Sequence, residues 1–402
     1  MSRLDELIQQ FCPRGVEYKK LGDIATNIFR GAGITRDQVT ETGIPCVRYG
    51  EIYTDYGVWF DKCISHTSLD LLTSPKFFEH GDILFAITGE KVEDIAKSTA
   101  YIGHEKCVAG GDIVVLKHKQ NPKYLGYALS TKEAQAQKSK GRVKSKVVHS
   151  SVPAIESITI PLPPLPIQEE IVRILDKFTQ LEAELEAELE ARRKQYEYYR
   201  NKLLSFNELT KSNPGGVKRC KIKDVFSRVK GTPITARKMH EIEDERGEIC
   251  IFAGGKTVIN AYEKDIPNAN IIRVPAVLVQ SRGIIDFVYY DKPFTFKNEM
   301  WAYIGNDNSS LKYLYYVLKN NVKYFRESAS GMGSMPQISL PITEEFEIPV
   351  PPLAEQERIV GILDRFESLV NDLSSGLPAE LAARRQQYEH YRDRLLTFAP
   401  AE

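Results

Sequence analysis

The chain contains an internal repeat whose best-matched parts are two helix-like segments. Residues 164–178 (PLPIQEEIVRILDKF) recur 188 positions later as residues 352–366 (PLAEQERIVGILDRF). Residues 191–200 (ARRKQYEYYR) recur 192 positions later as residues 383–392 (ARRQQYEHYR), so the second copy carries four extra residues. A repeat of this size indicates a duplicated unit, and the fold must accommodate both helical segments.

The regions between the helical segments differ much more from each other than the segments do. Residues 17–160 and 218–350 are only faintly similar, but both contain short strand-like runs and one late helix-like run, at 122–138 and 311–325. This pattern predicts an α+β fold with two globular domains and a pseudo-two-fold internal repeat. The predicted boundaries are 1–160 and 210–350 for the globular domains, and 161–209 and 351–402 for the long helices.

Each helical segment follows a proline-rich run, at 161–164 and 349–352, which cannot lie inside a helix. After each run, apolar residues recur at helical spacing and form a single stripe surrounded by Glu and Arg. About 40 helical residues rise roughly 60 Å, and a stripe of that length must be buried. We therefore expect the two long helices to pack antiparallel against each other. The alternative is that each helix packs only on its own domain.

The second helical segment contains an interruption that the first lacks. Residues 374–378 read SSGLP, and the four extra residues of the second copy fall here. Pro378 is expected to kink or break this helix. The first copy instead carries LEAELEAELE at 181–190, a four-residue repeat of strong helix formers.

The composition excludes several classes of protein. Hydrophobic residues make up 42% of the 402 residues, so global disorder is excluded. No apolar run approaches the roughly 18–20 residues of a membrane span, and the first residues lack the apolar core of a signal peptide. Six cysteines without a C-x-x-C pair argue against a disulfide framework and a zinc knuckle. We therefore expect a cytoplasmic protein.

The sequence also lacks the common catalytic motifs. It has no Gly-rich phosphate loop, no Walker lysine motif, no metal-ligand spacing among its seven histidines and no G-x-S-x-G. The Asn-Pro-Pro-aromatic tetrapeptide that an amino-methyltransferase would need is absent as well. These absences favour a binding protein or scaffold over an enzyme, and they predict no metal site.

Charge is distributed unevenly although 54 Lys and Arg balance 54 Asp and Glu. The globular regions are mildly basic and the helical segments acidic. Basic residues alternate with small ones at 138–146, which suits a loop that grips phosphates. The alternative is an exposed loop that only promotes solubility.

Each helical segment begins with the pattern P-L-x-x-Q-E-x-I-V-x-I-L-D-x-F and closes with the pattern A-R-R-x-Q-Y-E-x-Y-R. These two patterns resemble the specificity subunit of type I restriction-modification systems. The resemblance covers essentially the whole chain. It implies two target-recognition domains held apart by two long antiparallel helices, in a subunit without catalytic activity. It also implies that the chain binds double-stranded DNA and recruits two methyltransferase subunits and, through them, restriction subunits.

The same resemblance implies where the cofactors belong. None is expected on this chain. S-adenosylmethionine is expected on the methyltransferase subunits, and ATP with Mg²⁺ on the restriction subunits.

Two different basic domains in a pseudo-two-fold frame should read an asymmetric, two-part DNA sequence, and the helix length should fix the gap between its half-sites. Each LEAE block adds about 6 Å of helix. At roughly 3.4 Å for each base pair, that length corresponds to at most about two base pairs.

Basic and polar residues in loops are the candidates for DNA contacts, because Arg pairs best with guanine and Asn or Gln with adenine. In the first domain the candidates are Arg30, Arg36, Arg48, Lys138, Lys140, Arg142, Lys144 and Lys146. In the second domain they are Lys230, Arg237, Lys256, Arg282, Ser334 and Gln337. For Arg48 and Arg282 the alternative is a surface ion pair.

The ends of the helical segments are rich in Arg and Tyr, which are common interface anchors. The candidates for partner binding are Arg192, Arg193, Tyr196, Tyr199, Arg384, Arg385, Tyr388 and Tyr391. The alternative is that the tyrosines pack inside the helix pair.

Two other functions remain open for the same sequence. One is the recognition subunit of a type IIB-like system that cuts on both sides of its site. Genomic neighbours would distinguish this alternative, because a type I system needs a separate translocating ATPase subunit. The other is a coiled-coil scaffold without a DNA role, which salt-dependent binding of a bipartite duplex would exclude.

Overall fold

The computed structural model describes residues 2–140, 147–255, 257–330 and 335–401. Its contacts divide the chain into two compact units. Unit 1 consists of Met1–Leu185 and Leu381–Glu402, and unit 2 of Glu186–Glu380. Each unit therefore combines one globular region with part of each helical segment. The domain boundaries derived from the sequence stay a prediction.

Unit 1 contains two five-stranded sheets. Its strands are β1 (Tyr18–Lys20), β2 (Ala25–Arg30), β3 (Val39–Thr40), β4 (Ile44–Val47), β5 (Trp59–Phe60), β6 (Ser65–Thr67), β7 (Phe77–Phe78), β8 (Ile83–Ala86), β9 (Thr88–Gly89), β10 (Ser98–Tyr101), β11 (Cys107–Ala109), β12 (Ile113–His118), β13 (Val148–His149) and β14 (Thr159–Pro161). One sheet has the order β2-β12-β8-β10-β5 and the other β3-β6-β4-β11-β7, while β1 pairs with β14 and β9 with β13. Every residue of the central strand β8 is buried, so both faces of its sheet are covered.

The short helices of unit 1 are α1 (Arg3–Phe11), α2 (Leu21–Ile24), α3 (Tyr49–Thr54), α4 (Pro122–Leu129), α5 (Lys132–Ser139) and α6 (Val152–Glu156). The sequence predicts a single helix over 122–138, whereas the structure has two, α4 and α5. The Thr131 hydroxyl accepts a hydrogen bond from the Ala134 N–H (3.3 Å) and caps the start of α5. This capping favours a turn at Thr131 over a continued helix.

The first helical segment is one uninterrupted helix, α7 (Leu165–Leu203), as the LEAE repeat favours. It begins in unit 1 and ends in unit 2. Gln168 fixes its first turn, because the Gln168 Nε2 donates to the carbonyl of Pro163 (2.7 Å) in the proline-rich run. Within the described ranges, none of the helices has the length and apolar character needed to cross a membrane.

Unit 2 contains a four-stranded and a three-stranded sheet. Its strands are β15 (Lys218–Lys221), β16 (Ser227–Lys230), β17 (Ile249–Phe252), β18 (Val258–Ala261), β19 (Ala276–Gln280), β20 (Asp286–Tyr290), β21 (Phe294–Phe296), β22 (Trp301–Ile304) and β23 (Glu347–Val350). The sheets have the orders β16-β22-β19-β20 and β18-β17-β21, and β15 pairs with β23. This last pair corresponds to the pair β1 and β14 of unit 1.

The short helices of unit 2 are α8 (Phe206–Ser212), α9 (Ile222–Val225), α10 (Ala236–Ile242), α11 (Asn308–Asn320), α12 (Val322–Glu327) and α13 (Leu340–Glu344). The sequence predicts one helix over 311–325, but α11 ends at Asn320 and α12 follows. The Asn321 side-chain amide donates to the carbonyl of Val317 (2.8 Å) at this point. Such a side-chain bond to a carbonyl of the last turn is a common way to end a helix.

The second helical segment is interrupted, as expected, and consists of α14 (Leu353–Asn371) and α15 (Leu377–Leu395). The Asp372 carboxylate accepts hydrogen bonds from the Ser374 N–H (2.7 Å) and the Ser375 hydroxyl (2.5 Å). These and the Ser374 hydroxyl hold the pKa of Asp372 well below its usual value. Pro378 is not itself the breaking residue: it lies in the first turn of α15, where its missing N–H has no helical partner.

The two helical segments contact each other in an antiparallel arrangement within unit 1. The ring of Phe178 stacks on Tyr391, with centroids 5.5 Å apart, and the Arg385 Nε donates to Glu182 (2.6 Å). From the first contact to the second, the residue number rises in α7 (178 to 182) and falls in α15 (391 to 385), so the two helices run in opposite directions. The expected helix pairing is confirmed, and the alternative that each helix packs only on its own domain is wrong.

The helical segments also meet within unit 2 and complete its core. Phe366 of α14 stacks on Tyr199 of α7, with centroids 5.8 Å apart. In unit 1, the core combines Ile171 and Leu175 of α7 with Leu125 of α4. Each globular region therefore shares its core with the helices.

In each unit, two backbones approach each other closely just after one strand, which is β2 in unit 1 and β16 in unit 2. A Cβ atom on Gly31, after β2, would lie 2.2 Å from the carbonyl oxygen of Gly110. A Cβ atom on Gly231, after β16, would lie 2.0 Å from the carbonyl oxygen of Phe296. These distances are far shorter than a van der Waals contact, so only glycine fits at either position.

Gly31→Ala is therefore expected to destabilise the protein by about 1–3 kcal/mol, since the backbone must shift to admit the methyl group. Gly33→Ala is the matched control, because no atom lies within 4 Å of the Cβ it would add. Thermal unfolding followed by circular dichroism measures both. Equal melting temperatures for the two variants would contradict the proposed clash.

Candidate nucleic-acid interface

A groove in unit 1 brings together three of the residues proposed to contact DNA. Arg30 ends β2, Arg36 begins a short 3₁₀ turn, and Arg48 directly precedes α3. All three line one cavity of about 1380 Å³. Cationic side chains that converge on one groove are typical of a surface that binds phosphates and base edges.

Arg30 and Arg36 differ in how firmly they are held. The Arg30 Nε donates to the carbonyl of Gly111 (2.6 Å), and its Nη2 donates to Asp112 (2.5 Å). Arg36 is exposed, and within the described ranges its guanidinium has no hydrogen bond or ion pair. Arg30 is therefore fixed along one edge, whereas Arg36 is free to follow a phosphate.

Arg48 is in an ion pair, as its alternative interpretation suggests, but its partner is buried. The Arg48 Nε donates to Glu51 (2.9 Å), whose carboxylate also accepts hydrogen bonds from the Ser65 hydroxyl (2.8 Å) and the Arg48 N–H (3.1 Å). Glu51 is 5% exposed. The pair therefore anchors Arg48 to the interior of unit 1 while the groove remains accessible to it.

Lys138 does not reach any outer surface. It is 4% exposed, and its Nζ donates to the carbonyl of Leu129 (2.8 Å) and the hydroxyl of Ser98 (3.1 Å). Burial lowers the pKa of Lys138 to about 7. The proposed phosphate contact of Lys138 is corrected accordingly, because α5 directs this side chain into unit 1.

The remaining basic candidates of unit 1 follow α5. Lys140 is exposed. Arg142, Lys144 and Lys146 lie outside the described residues. The phosphate-binding loop and its solubility alternative both stay predictions.

Unit 2 presents its candidates differently. Lys230 is exposed at the end of β16, whereas Arg237 is engaged in an ion pair with Glu241 on the same helix (3.0 Å). Lys256 and Ser334 lie outside the described residues. Arg282 and Gln337 are both exposed and form an isolated antiparallel bridge with each other.

The bridge between Arg282 and Gln337 has a counterpart in unit 1, where Thr88 of β9 faces His149 of β13. Arg282 also lines a cavity of about 470 Å³ together with Lys297, a residue that the sequence analysis missed. A surface ion pair, the alternative for Arg282, is not seen in the described part of the chain. Of the four candidates of this unit that the structure describes, it therefore brings Arg282 and Gln337 together.

The four tyrosines at the ends of the helical segments lie along the helix seams, by which we mean the lines where the two helical segments contact each other. Tyr196 and Tyr388 are largely buried, and burial raises the pKa of both, that of Tyr388 to about 12. Tyr199 and Tyr391 are about 38% and 37% exposed, respectively, and each stacks on a phenylalanine of the opposite helix. These positions support the alternative in which the tyrosines pack inside the helix pair.

The arginines of the helix ends are more exposed than the tyrosines but are also engaged. Arg192 donates to Glu188 (2.7 Å) on its own helix, and Arg385 donates to Glu182 across the seam. Arg384 is exposed and donates to Gln387 (3.3 Å). Arg193 is exposed as well. Partner binding by these side chains stays a prediction.

The described residues contain no group of three or more His, Cys, Asp or Glu side chains that could hold a metal ion. The six cysteines are free thiols. Both grooves combine cations with carboxylates: Glu51, Asp55 and Asp112 lie beside the three arginines of unit 1, and Glu299 pairs with Lys297 (2.8 Å) in unit 2.

Comparison with known families gives a match to the type I restriction modification DNA specificity domain, over residues 13–191 and 214–383. The chain belongs to this family. The two matched regions each contain one globular region and most of the helix that follows it. The family that the sequence resembles is thus confirmed, and specificity subunits of these systems are non-catalytic recognition subunits.

Similar proteins agree with this family. The chain is 35% identical over 268 residues to the specificity subunit of the Escherichia coli type I restriction enzyme EcoR124I/EcoR124II, a match that covers 61% of this chain and 64% of that subunit. A crystal structure of a type I S subunit from M. genitalium has a TM-score of 0.56 at 17% identity, covering 95% of this chain and 96% of that one. A chain from a structural study of complex assembly and conformational transition of the type I system has a TM-score of 0.58 at 16% identity, with 96% and 98% covered. These likenesses confirm the predicted fold.

The chain also contains a pair of hydrogen-bonded carboxylates, Asp176 and Asp364, that tie each domain to its helix and that the sequence analysis missed; we call this contact the carboxylate lock. In unit 1, Asp176 of α7 accepts hydrogen bonds from the Lys123 Nζ (2.7 Å) and the Tyr127 hydroxyl (2.7 Å) of α4. Burial raises the pKa of Tyr127, so its hydroxyl stays a donor.

The same lock occurs in unit 2. Asp364 of α14 accepts hydrogen bonds from the Lys312 Nζ (2.7 Å) and the Tyr316 hydroxyl (2.5 Å) of α11. The signal in the sequence is the repeat of KYLGYAL at 123–129 as KYLYYVL at 312–318. The repeated residues orient each domain on its helix, since hydrogen bonds to a charged group are directional as well as strong.

Asp176→Ala is expected to destabilise unit 1 by about 1–3 kcal/mol, because Lys123 and Tyr127 lose their charged partner. Asp364→Ala is expected to destabilise unit 2 because Lys312 loses its charged partner, although the Tyr316 hydroxyl keeps Glu367 (2.8 Å). Hydrogen–deuterium exchange should become faster in α4 for the first variant and in α11 for the second, so that each variant is the control for the other. Faster exchange in the same helix for both variants would contradict a local lock.

Proposed function

We propose that this chain is the DNA-recognition subunit of a type I restriction-modification complex and that it reads an asymmetric, two-part target. The observation that carries the proposal is the contrast between the two units. Both share the helix seam and the carboxylate lock, but their grooves present different side chains. Arg30, Arg36 and Arg48 line the groove of unit 1, whereas Arg282 and Lys297 line that of unit 2.

Different side chains on a repeated frame favour different sequences in the two half-sites, because base edges are distinguished by the donors and acceptors they meet. Exposed cations near each groove supply the sequence-independent attraction to phosphates.

The partners follow from the same proposal. The repeated helical segments offer two similar surfaces, which suits two copies of a methyltransferase subunit, and restriction subunits join through them. The chain itself carries no cofactor; S-adenosylmethionine belongs to the methyltransferase subunits, and ATP with Mg²⁺ to the restriction subunits. The complex acts on DNA in the cytoplasm.

Mapping of methylated bases tests the proposal in cells that carry this subunit with its methyltransferase partner. We expect one bipartite motif with two unrelated half-sites and a fixed number of unread base pairs between them. A palindromic motif, or methylation that does not depend on this subunit, would contradict the assignment.

The length of α7 is expected to set the number of unread base pairs. Deletion of Glu182, Ala183, Glu184 and Leu185 removes one LEAE block, about 6 Å of helix, and should shorten the spacer by one or two base pairs while both half-sites stay the same. Glu184→Gln, which leaves the helix length intact, should leave the spacer unchanged. An unaltered spacer in the deletion variant excludes the proposed role of helix length.

A further inference from the structure

Arg48 and Arg30 line the same groove but leave different parts of their guanidinium groups available. Arg48 donates through Nε alone, to Glu51, and within the described ranges neither of its Nη atoms has a hydrogen-bond partner. Arg30 donates through both Nε and Nη2. Arg48 therefore keeps both N–H groups of Nη1 and both of Nη2 for a ligand, whereas one of the two Nη2 N–H groups of Arg30 is already bound to Asp112.

We propose that Arg48 recognises a guanine in the half-site read by unit 1 and that Glu51 is its positioning residue. The inference rests on the proposed function and deepens it by naming one side chain that determines specificity. It requires only residues of unit 1.

The chemistry of the free edge selects guanine. Two parallel N–H donors match the two adjacent acceptors, N7 and O6, that guanine presents in the major groove. Adenine presents an acceptor beside a donor, so one of the two Arg48 donors would face another donor. An arginine edge held in place therefore accepts one base and rejects the other.

The surroundings of Glu51 hold that edge in place. The carboxylate is tied to the Ser65 hydroxyl and to the Arg48 N–H, and it is almost fully buried. The Arg48 side chain is 34% exposed, with its inner nitrogen fixed and its outer edge at the groove. A side chain that is already ordered loses little entropy on binding, which favours base recognition.

Arg36 offers the comparison within the same groove. Its guanidinium is exposed and unheld in the described structure, so it has no fixed edge to present. Such a side chain suits a phosphate contact, which raises affinity for every sequence equally. Arg36 and Arg48 should therefore differ in the kind of effect that their removal has.

The experiment maps methylation by the complete complex with Arg48→Lys, Arg48→Ala, Glu51→Gln or Arg36→Ala in this subunit. Lysine keeps the charge but lacks the two-donor edge. Arg48→Lys and Arg48→Ala are expected to lose about tenfold or more discrimination at one guanine of one half-site, with the other half-site unchanged. Glu51→Gln should relax the same position to a smaller extent.

Arg36→Ala is the matched control. It should lower methylation at all sites alike, leave every position of the motif intact, and reduce the salt dependence of DNA binding by about one unit of slope. Thermal unfolding of each variant separates loss of specificity from loss of the fold, and Arg48→Lys decides the question if Arg48→Ala does not fold.

Two outcomes would overturn the inference. One is a motif that keeps every position in Arg48→Lys while Arg48→Ala lowers methylation uniformly, which assigns Arg48 to a phosphate. The other is a loss of base discrimination at one position of the motif in Arg48→Lys and at a different position in Glu51→Gln. In both cases the wild-type complex still yields a bipartite motif, whereas failure of the proposed function removes that motif itself.

Discussion

A helix with a single apolar stripe is stable in water only when another surface covers the stripe. In this chain, residues from both repeats cover the apolar stripes. The core of unit 1 joins Leu175 of α7 with Leu396, which follows α15. The core of unit 2 joins Leu189 of α7 with Leu363 of α14. Neither globular region therefore completes its core from neighbouring sequence alone. Long-range contacts of this kind must form before either unit gains its full stability.

The helical segments could be predicted because their signals are local: proline runs, a stripe with helical period, and a repeat that is visible without alignment. The groove of unit 1 could be predicted only as a set of scattered arginines. Arg30, Arg36 and Arg48 belong to different elements, and the strand order decides that their loops meet. Lys138 shows the same limit, since a basic pattern indicates an exposed loop but the placement of α5 decides where this side chain points.

The two units keep the same Asp–Lys–Tyr contacts where the domain meets its helix, and they vary the side chains where a ligand would bind. Asp176 and Asp364 accept hydrogen bonds from the same pair of residue types at almost the same distances. The groove residues show no such correspondence. A directional lock that fixes the orientation of each domain allows the groove to change freely, because substitutions in a loop do not disturb the shared seam.

The four extra residues of the second repeat leave the helical register unchanged. Counted from its first residue, α14 has 19 residues, and α15 also has 19, while α7 has 39 without interruption. Residues 353–371 correspond to 165–183, and residues 377–395 correspond to 185–203, so the segment 372–376 replaces a single helical position. The insertion is therefore absorbed by a turn and adds no length to the helix.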